Sequence, residues 1–201
     1  MWYWAGEWYN DAQEYGLARQ YALRALPLYR HENAAKADCL NLLAIIGVRL
    51  ADFPAAVQYA MRSVRIYKKL RDPDQTSSAL NTLAGINLAA NHPRQAEKHI
   101  LQALRYASRV NNQPRLAVIN GMASEIYYKL GNYQRSLQYA RKAYAIDSLL
   151  GNEGKMAVRL TMQGAALGGM KRDDEASAFS HAFKKAYACS PTQYRQGGSP
   201  N

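Results

Sequence analysis

The sequence predicts an all-α protein, a solenoid of about four to five helix-turn-helix units, and three observations carry that prediction. The first is a forty-residue period. Ala56, Ala96, Ser136 and Ala176 keep it, as do Tyr59, His99, Tyr139 and Phe179, and Ile46, Ile86, Ile126 and Ala166. Leu40, Leu80, Asn120 and Leu160 form a fourth column and Ala44, Ala84, Ser124 and Gly164 a fifth. Self-similarity of this length marks stacked supersecondary units. The second observation is the spacing inside a unit. Leu40, Leu43, Ala44 and Ile46 to Gly47 lie on one helical stripe, and Ala56, Tyr59, Ala60, Ser63, Ile66 and Leu70 on another, in steps of three and four. The third is turn chemistry between the stripes, at Ala51-Asp52, Asn91-His92-Pro93 and Gly131-Asn132.

The elements follow in order. A step of 38 instead of 40 extends the pattern back to Trp2, Gly6, Ala18, Tyr21, Ala22 and Leu28, so residues 1–36 form a first unit. Pro27 falls inside its second helix, where a missing N–H and a ring clash enforce an early stop or a kink. Units follow at 37–76, 77–116, 117–156 and 157–189, each with a helix A, a short turn and a helix B. Pro54 suits a first helical turn, where its missing N–H costs nothing. Pro73 and Pro114 are expected in the breaks between units, as are Asp72, Asn112 and Asn152. The whole of 1–189 is read as one repeat domain. The tail 190–201, rich in Pro, Gly and Ser without apolar period, is expected to be a flexible end.

Small residues have a mechanical purpose in this scheme. Ala44, Ala84, Ser124 and Gly164 let helix A approach its neighbour closely, and Ala56, Ala96 and Ala176 do the same for helix B. Neither helix buries its stripe alone, so units must stack into a continuous core.

Composition narrows the function classes. The chain has 201 residues, 48% of them hydrophobic and 20% charged, with 15 Tyr and a formal net charge of +11. That composition supports a real core and excludes wholesale disorder. The longest apolar run, Leu42 to Val48, is far short of the roughly 20 residues of a membrane helix. No charged-then-apolar leader opens the chain, and Cys39 and Cys189 suggest a reducing compartment, so a cytoplasmic location is expected.

Enzymatic constellations are missing: there is no glycine-rich phosphate loop, paired-histidine metal helix or Gly-x-Ser-x-Gly turn. His31, His92, His99 and His181 are scattered, and His99 occupies a packing column. Asp173-Asp174-Glu175 opens a helix B, where acids complement the helix dipole. Cys39 reads as a small buried hydrophobe. No catalytic residue, metal ligand or cofactor is expected.

Together these columns resemble the tetratricopeptide repeat (TPR). The residues that carry the resemblance are Leu80, Leu83-Ala84, then Tyr127, Gly131-Asn132-Tyr133, Ser136, Tyr139, Ala140 and Ala143, with Trp2, Ala5-Gly6, Tyr9, Tyr15, Ala18 and Ala25 as a first copy. The usual repeat has about 34 residues and a Pro closing helix B. This one has Lys68, Ser108 or Ser148 there, so helix B runs on to Leu70, Val110 and Leu150. That long form is similar to repeats of kinesin light chain and of bacterial regulator and sensor modules. In the third full copy Asn120 stands where a bulky residue is expected, with Ile119 and Met122 beside it. Gln163, Lys171 and Asp173 make the last copy degenerate, as in a cap.

The resemblance implies a right-handed superhelix whose A helices line a concave groove for a peptide or partner protein. The face one step from the packing stripe supplies Asn41, Ile45 and Arg49, then Asn81, and then Glu125, Tyr128 and Lys129. The same face carries Tyr3, Glu7 and Asp11, and Thr161 and Ala165. Asn amides there can pair with both groups of a peptide backbone. Gly85, Ala89, Gly121 and Gly169 are expected to leave room for ligand side chains. The expected function is a non-catalytic scaffold or sensor, the alternative the sensory or dimerisation part of a bacterial signalling or transcription-regulatory protein. Arg62, Arg65, Lys68, Lys69, Arg105, Arg109, Arg141 and Lys142 belong to helix B, read as a solvated face. Nucleic acid is disfavoured as a partner because no recognition motif accompanies the charge. All three Trp lie between Met1 and Trp8, and a homodimer through that aromatic end is a further expectation.

Overall fold

A computed structural model of the chain describes residues 1–170 together with 180, 181, 183–185, 187, 189–191 and 193. Among these residues there is no strand. The helices run α1 (Trp2–Asp11), α2 (Tyr15–Ala25), a 3₁₀ turn (Leu26–Leu28), α3 (Ala34–Arg49), α4 (Phe53–Lys69), α5 (Pro73–Ala89), α6 (Pro93–Ala107), α7 (Gln113–Lys129), α8 (Tyr133–Leu149) and α9 (Glu153–Gly169). The expectations for 173–176 and Phe179, for the second helix of 157–189 and for most of the tail 190–201 fall outside the described residues. The chain divides into two compact units, residues 1–111 and residues 112 onward.

A three-residue turn explains the period. Helices α4, α5, α7, α8 and α9 each have 17 residues. Between them the chain reverses through a left-handed residue: Ala51 (φ 57°), Arg71 (56°), Asn91 (60°), Gly131 (73°) and Gly151 (66°). The N–H of the next residue then returns to a carbonyl five back, as in Asp52 to Gly47 at 2.8 Å and Asn132 to Tyr127 at 2.9 Å. This is the helix-ending motif that satisfies otherwise orphaned carbonyls. In three of these turns the same residue caps the following helix: Asp52, Asp72 and Asn132 accept the N–H of Ala55, Gln75 and Arg135 at 3.3, 2.9 and 3.1 Å. Asn112, at the end of a longer link without a left-handed residue, caps α7 through the N–H of Arg115 at 3.1 Å.

The device that closes hairpins also joins α4 to α5 and α8 to α9, whereas α6 reaches α7 through the longer link 108–112. Pro73 and Pro114 sit in the first turns of α5 and α7 and not in a break, for the reason that suits Pro54. Pro27 does end α2, which passes into the 3₁₀ turn.

In the first unit the hairpins α1/α2, α3/α4 and α5/α6 pack in sequence, α2 on α3 and α4 on α5. Ala44, Ala56, Ala60, Leu83 and Ile86 form one buried cluster between them. The approach is close: a Cβ on Gly47 would lie 3.0 Å from the Cβ of Ala56. Cys39 is buried, its Sγ donating to the Ala22 carbonyl at 3.3 Å, and burial pushes its thiol up to about 11. At the start of the chain Trp2 stacks on Tyr21 at 5.7 Å, and Tyr9 lies on the same ring at 5.1 Å. Trp4 and Trp8 remain largely exposed.

In the second unit α7 pairs with α8, and α9 packs on both. Ile119 is fully buried and Asn120 nearly so, its Nδ2 donating to the Leu116 carbonyl at 2.8 Å. The polar member of that column is thus tolerated because its own helix satisfies it.

Candidate functional site

In the first unit, α3 carries Asn41, Ile45 and Arg49 along one face, and α5, packed on α3, carries Asn81 at the equivalent position. Asn41, Ile45 and Asn81 are half-buried and Arg49 is exposed. The Oδ1 atoms of Asn41 and Asn81 are out of contact with solvent and have no hydrogen-bond partner among the described residues. Other A-helix asparagines behave differently, since Asn87 and Asn120 each donate to the carbonyl four residues back at 2.8 Å. On α1 the Tyr3 hydroxyl donates to Glu7 Oε1 at 2.6 Å, and burial together with that carboxylate holds the phenol well above its ordinary range.

In the second unit the structure brings Glu125, Tyr128 and Lys129 of α7 together on a cavity of about 440 Å³. Val158, Thr161, Met162 and Ala165 of α9 form its other wall, and Ser124 and Ser136 lie at its base with their hydroxyls 3.2 Å apart. The Tyr128 ring, part of the lining, stands edge-on to Tyr133 at 5.4 Å, which fixes its orientation. The volume falls in the range of ligand pockets, and the mix of apolar walls with a few hydroxyls is their usual lining. Sequence reading missed Val158 and Met162. The available signal was Met162, which shares its column with Leu42 and Met122.

Two glycines do not leave the room expected of them. A Cβ on Gly121 would lie 2.6 Å from the guanidinium carbon of Arg159, and one on Gly169 would lie 2.6 Å from the ring of Tyr133. Arg159 crosses Gly121 to reach Asp147 on α8, Nε to Oδ2 at 3.0 Å, and its Nη2 donates to the Ala117 carbonyl at 3.5 Å. The ion pair is buried. It ties α7, α8 and α9 together below the cavity.

Among the described residues no three His, Cys, Asp or Glu side chains stand together as a metal site, and no helix is long and apolar enough to cross a membrane.

No protein-family model matches the sequence, and no curated protein matches it. Solved structures do. A Rap protein complexed with Competence and Sporulation Factor is 20% identical, with a TM-score of 0.77 over 93% of this chain and 53% of that one. A Signal Transduction ATPase with Numerous Domains (STAND) from Pyrococcus horikoshii, with a tetratricopeptide repeat sensor, is 19% identical at a TM-score of 0.79, over 92% of this chain and 29% of that one. The nearly identical TPR-like repeats of a Podosopora anserina kinesin light chain are 13% identical at 0.77, over 98% and 96%. This chain spans about half of the Rap protein and under a third of the STAND protein. The likeness is one of fold: the chain has the TPR-type fold, all-α and built of helical hairpins.

Proposed function

We propose that this chain is a non-catalytic interaction module that holds an extended peptide, or a segment of a partner protein, along the exposed face of its A helices. The observation that carries this reading is the pair Asn41 and Asn81. An unmet buried polar atom costs about 1–3 kcal/mol, and here it recurs at the same place in two successive hairpins. An amide held by no hydrogen bond is free to turn its oxygen or its nitrogen towards a peptide backbone. In the second unit, Glu125 and Lys129 border a cavity fit for a ligand side chain, with Tyr128 beside it. A Rap protein of the same fold, complexed with Competence and Sporulation Factor, supports the reading of a binding module.

The sensory portion of a longer signalling or transcription-regulatory protein is the second reading. The STAND protein favours it, because its repeats are described as a sensor within a longer chain.

Selection from a peptide-display library tests the proposal. The intact chain is expected to enrich a peptide family, and the triple variant Asn41→Ala, Asn81→Ala, Glu125→Ala to lose it while keeping the helical far-UV spectrum. Equal enrichment by both proteins, or none by the parent, would rule the helix-A face out.

A further inference from the structure

The helix-B side of the first unit carries a second repeated column, which peptide binding on helix A does not use. Leu23 on α2, Met61 on α4 and Leu101 on α6 occupy equivalent places in three successive hairpins. All three are exposed, by 39%, 51% and 37%. The water-facing side of an amphipathic helix is ordinarily polar, so a large apolar residue recurring there once per hairpin is unexpected. Packing does not require it, because the preceding residues Ala22, Ala60 and Ile100 are the fully buried ones.

Cations border this column. Arg24 and Arg62 follow Leu23 and Met61 directly, and Arg65 and Arg105 stand four residues beyond Met61 and Leu101. Helices α2, α4 and α6 together hold nine Arg and Lys and a single acid, Glu97. The partner helices α1, α3 and α5 hold two basic and four acidic residues, so the charge is sided. Arg19 is matched by Asp52 at 3.3 Å and Lys69 by Glu32 at 2.9 Å; Arg65 acts on the same Glu32 at longer range, whereas Arg62 and Arg105 form no salt bridge among the described residues. Lys68 of α4 lies 5.9 Å from the ring of Tyr106 on α6, so the two helices meet through side chains near their C-terminal ends.

We infer that this surface docks an acidic, amphipathic helical segment of a partner protein, with its apolar side chains on Met61, Leu101 and Leu23 and its carboxylates against Arg62, Arg65 and Arg105. An apolar centre with a charged rim is the anatomy of a protein interface, and opposite charge sets its orientation and association rate. A nucleic-acid backbone would use the cations but leave Met61 and Leu101 facing water. A bilayer needs side chains that enter it by about 5–10 Å, and these are half embedded in their own helices.

The test uses the full chain and a fluorescein-labelled synthetic peptide of about 20 residues, with leucine at every third or fourth position and glutamate elsewhere, long enough to form a helix on contact. Anisotropy titration is expected to show saturable binding that weakens with salt. Met61→Ser with Leu101→Ser should weaken it about tenfold or more. Arg62→Glu with Arg65→Glu should abolish it, and Asn41→Ala with Asn81→Ala should leave it unchanged. An all-glutamate peptide binding as tightly would overturn the inference, as would parent-like binding by either helix-B variant. Tighter binding to a DNA duplex or to phosphatidylserine vesicles, lost in the same variants, would also overturn it. If the serine variant fails to fold, the charge-reversed pair decides alone.

Discussion

Arg159 reaches Asp147 through the space that a side chain at residue 121 would occupy. The guanidinium lies over the bare Cα of Gly121 in α7 on its way from α9 to α8. Both partners break their columns: Arg159 stands where Cys39, Ala79 and Ile119 stand in other units, and Asp147 where Tyr67 and Ala107 stand. Removing one member of a buried pair strands the other, at a cost of about 3–5 kcal/mol, whereas replacing both with apolar groups is often neutral. Asp147→Ala is therefore expected to lower stability by that amount in urea unfolding. Arg159→Ile added to Asp147→Ala, which restores the residues of the neighbouring unit, is expected to recover most of it. A double variant as unstable as the single one would mean that the pair holds α7, α8 and α9 in register by more than its charges.

The left-handed turns make a second test. Ala51 and Arg71 adopt φ near +57° without the freedom of glycine, while Gly131 and Gly151 occupy the same place. That conformation costs an L-residue about 1–2 kcal/mol, and glycine's extra chain entropy takes back about 0.5–1. Ala51→Gly and Arg71→Gly are expected to stabilise by up to about 1 kcal/mol, and Gly131→Ala to destabilise by a similar amount. Asn91→Gly should change little, since Asn visits this region readily. Thermal unfolding of the four variants reads the order, and an unchanged midpoint for Arg71→Gly would contradict it.

His99 gives a pH dependence. Burial first, then Lys68 and Lys98, lowers its pKa below the ordinary 6.5, and its buried Nδ1 has no hydrogen-bond partner among the described residues. The folded chain thus holds the imidazole neutral, while the unfolded chain binds a proton below about 6.5. This contribution to stability is complete above that pH and is lost as pH falls through the lowered folded value. His99→Tyr, the residue at positions 59 and 139, removes the titration. Unfolding midpoints at pH about 7.5 and about 5.5 are expected to differ more for the parent than for the variant. Equal differences would count against a neutral, buried His99.

Much of this architecture was legible because forty-residue columns report packing directly. Ile46, Ile86, Ile126 and Ala166 are all buried, as are Ala56, Ala96 and Ser136. The turns at Ala51, Asn91 and Gly131 were legible as breaks, but their common left-handed geometry and its recurrence at Arg71 were not, because these residues share a backbone shape without sharing a side chain. Pro73 was misplaced for that reason: the join of α4 to α5 looked unlike the turn within a hairpin, and it is the same. The path of Arg159 was hidden as well. A glycine reads as empty space, and nothing local shows that a side chain 38 residues on will fill it. Of the cavity, the sequence face found Glu125, Tyr128 and Lys129 but not Val158 and Met162, whose exposure depends on how α9 lies against α7 and α8.

That cavity carries the last prediction, which rests on the peptide reading. Its walls, Val158, Met162, Ala165 and Tyr128, offer dispersion and burial, while Glu125 and Lys129 stand at α7 positions one turn apart with no ion pair between them. At roughly 25 cal/mol per Å² of apolar surface removed from water, one well-seated large side chain supplies about 1.5–3 kcal/mol. Peptides selected on the intact chain are therefore expected to share one large apolar residue. Ala165→Trp, which fills the cavity from α9, should weaken those peptides by about 10–100-fold and leave unfolding nearly unchanged, because Ala165 is only half-buried. If the selected peptides show no apolar preference, or if Ala165→Trp binds them as the parent does, ligand contact is confined to the backbone and to Asn41 and Asn81.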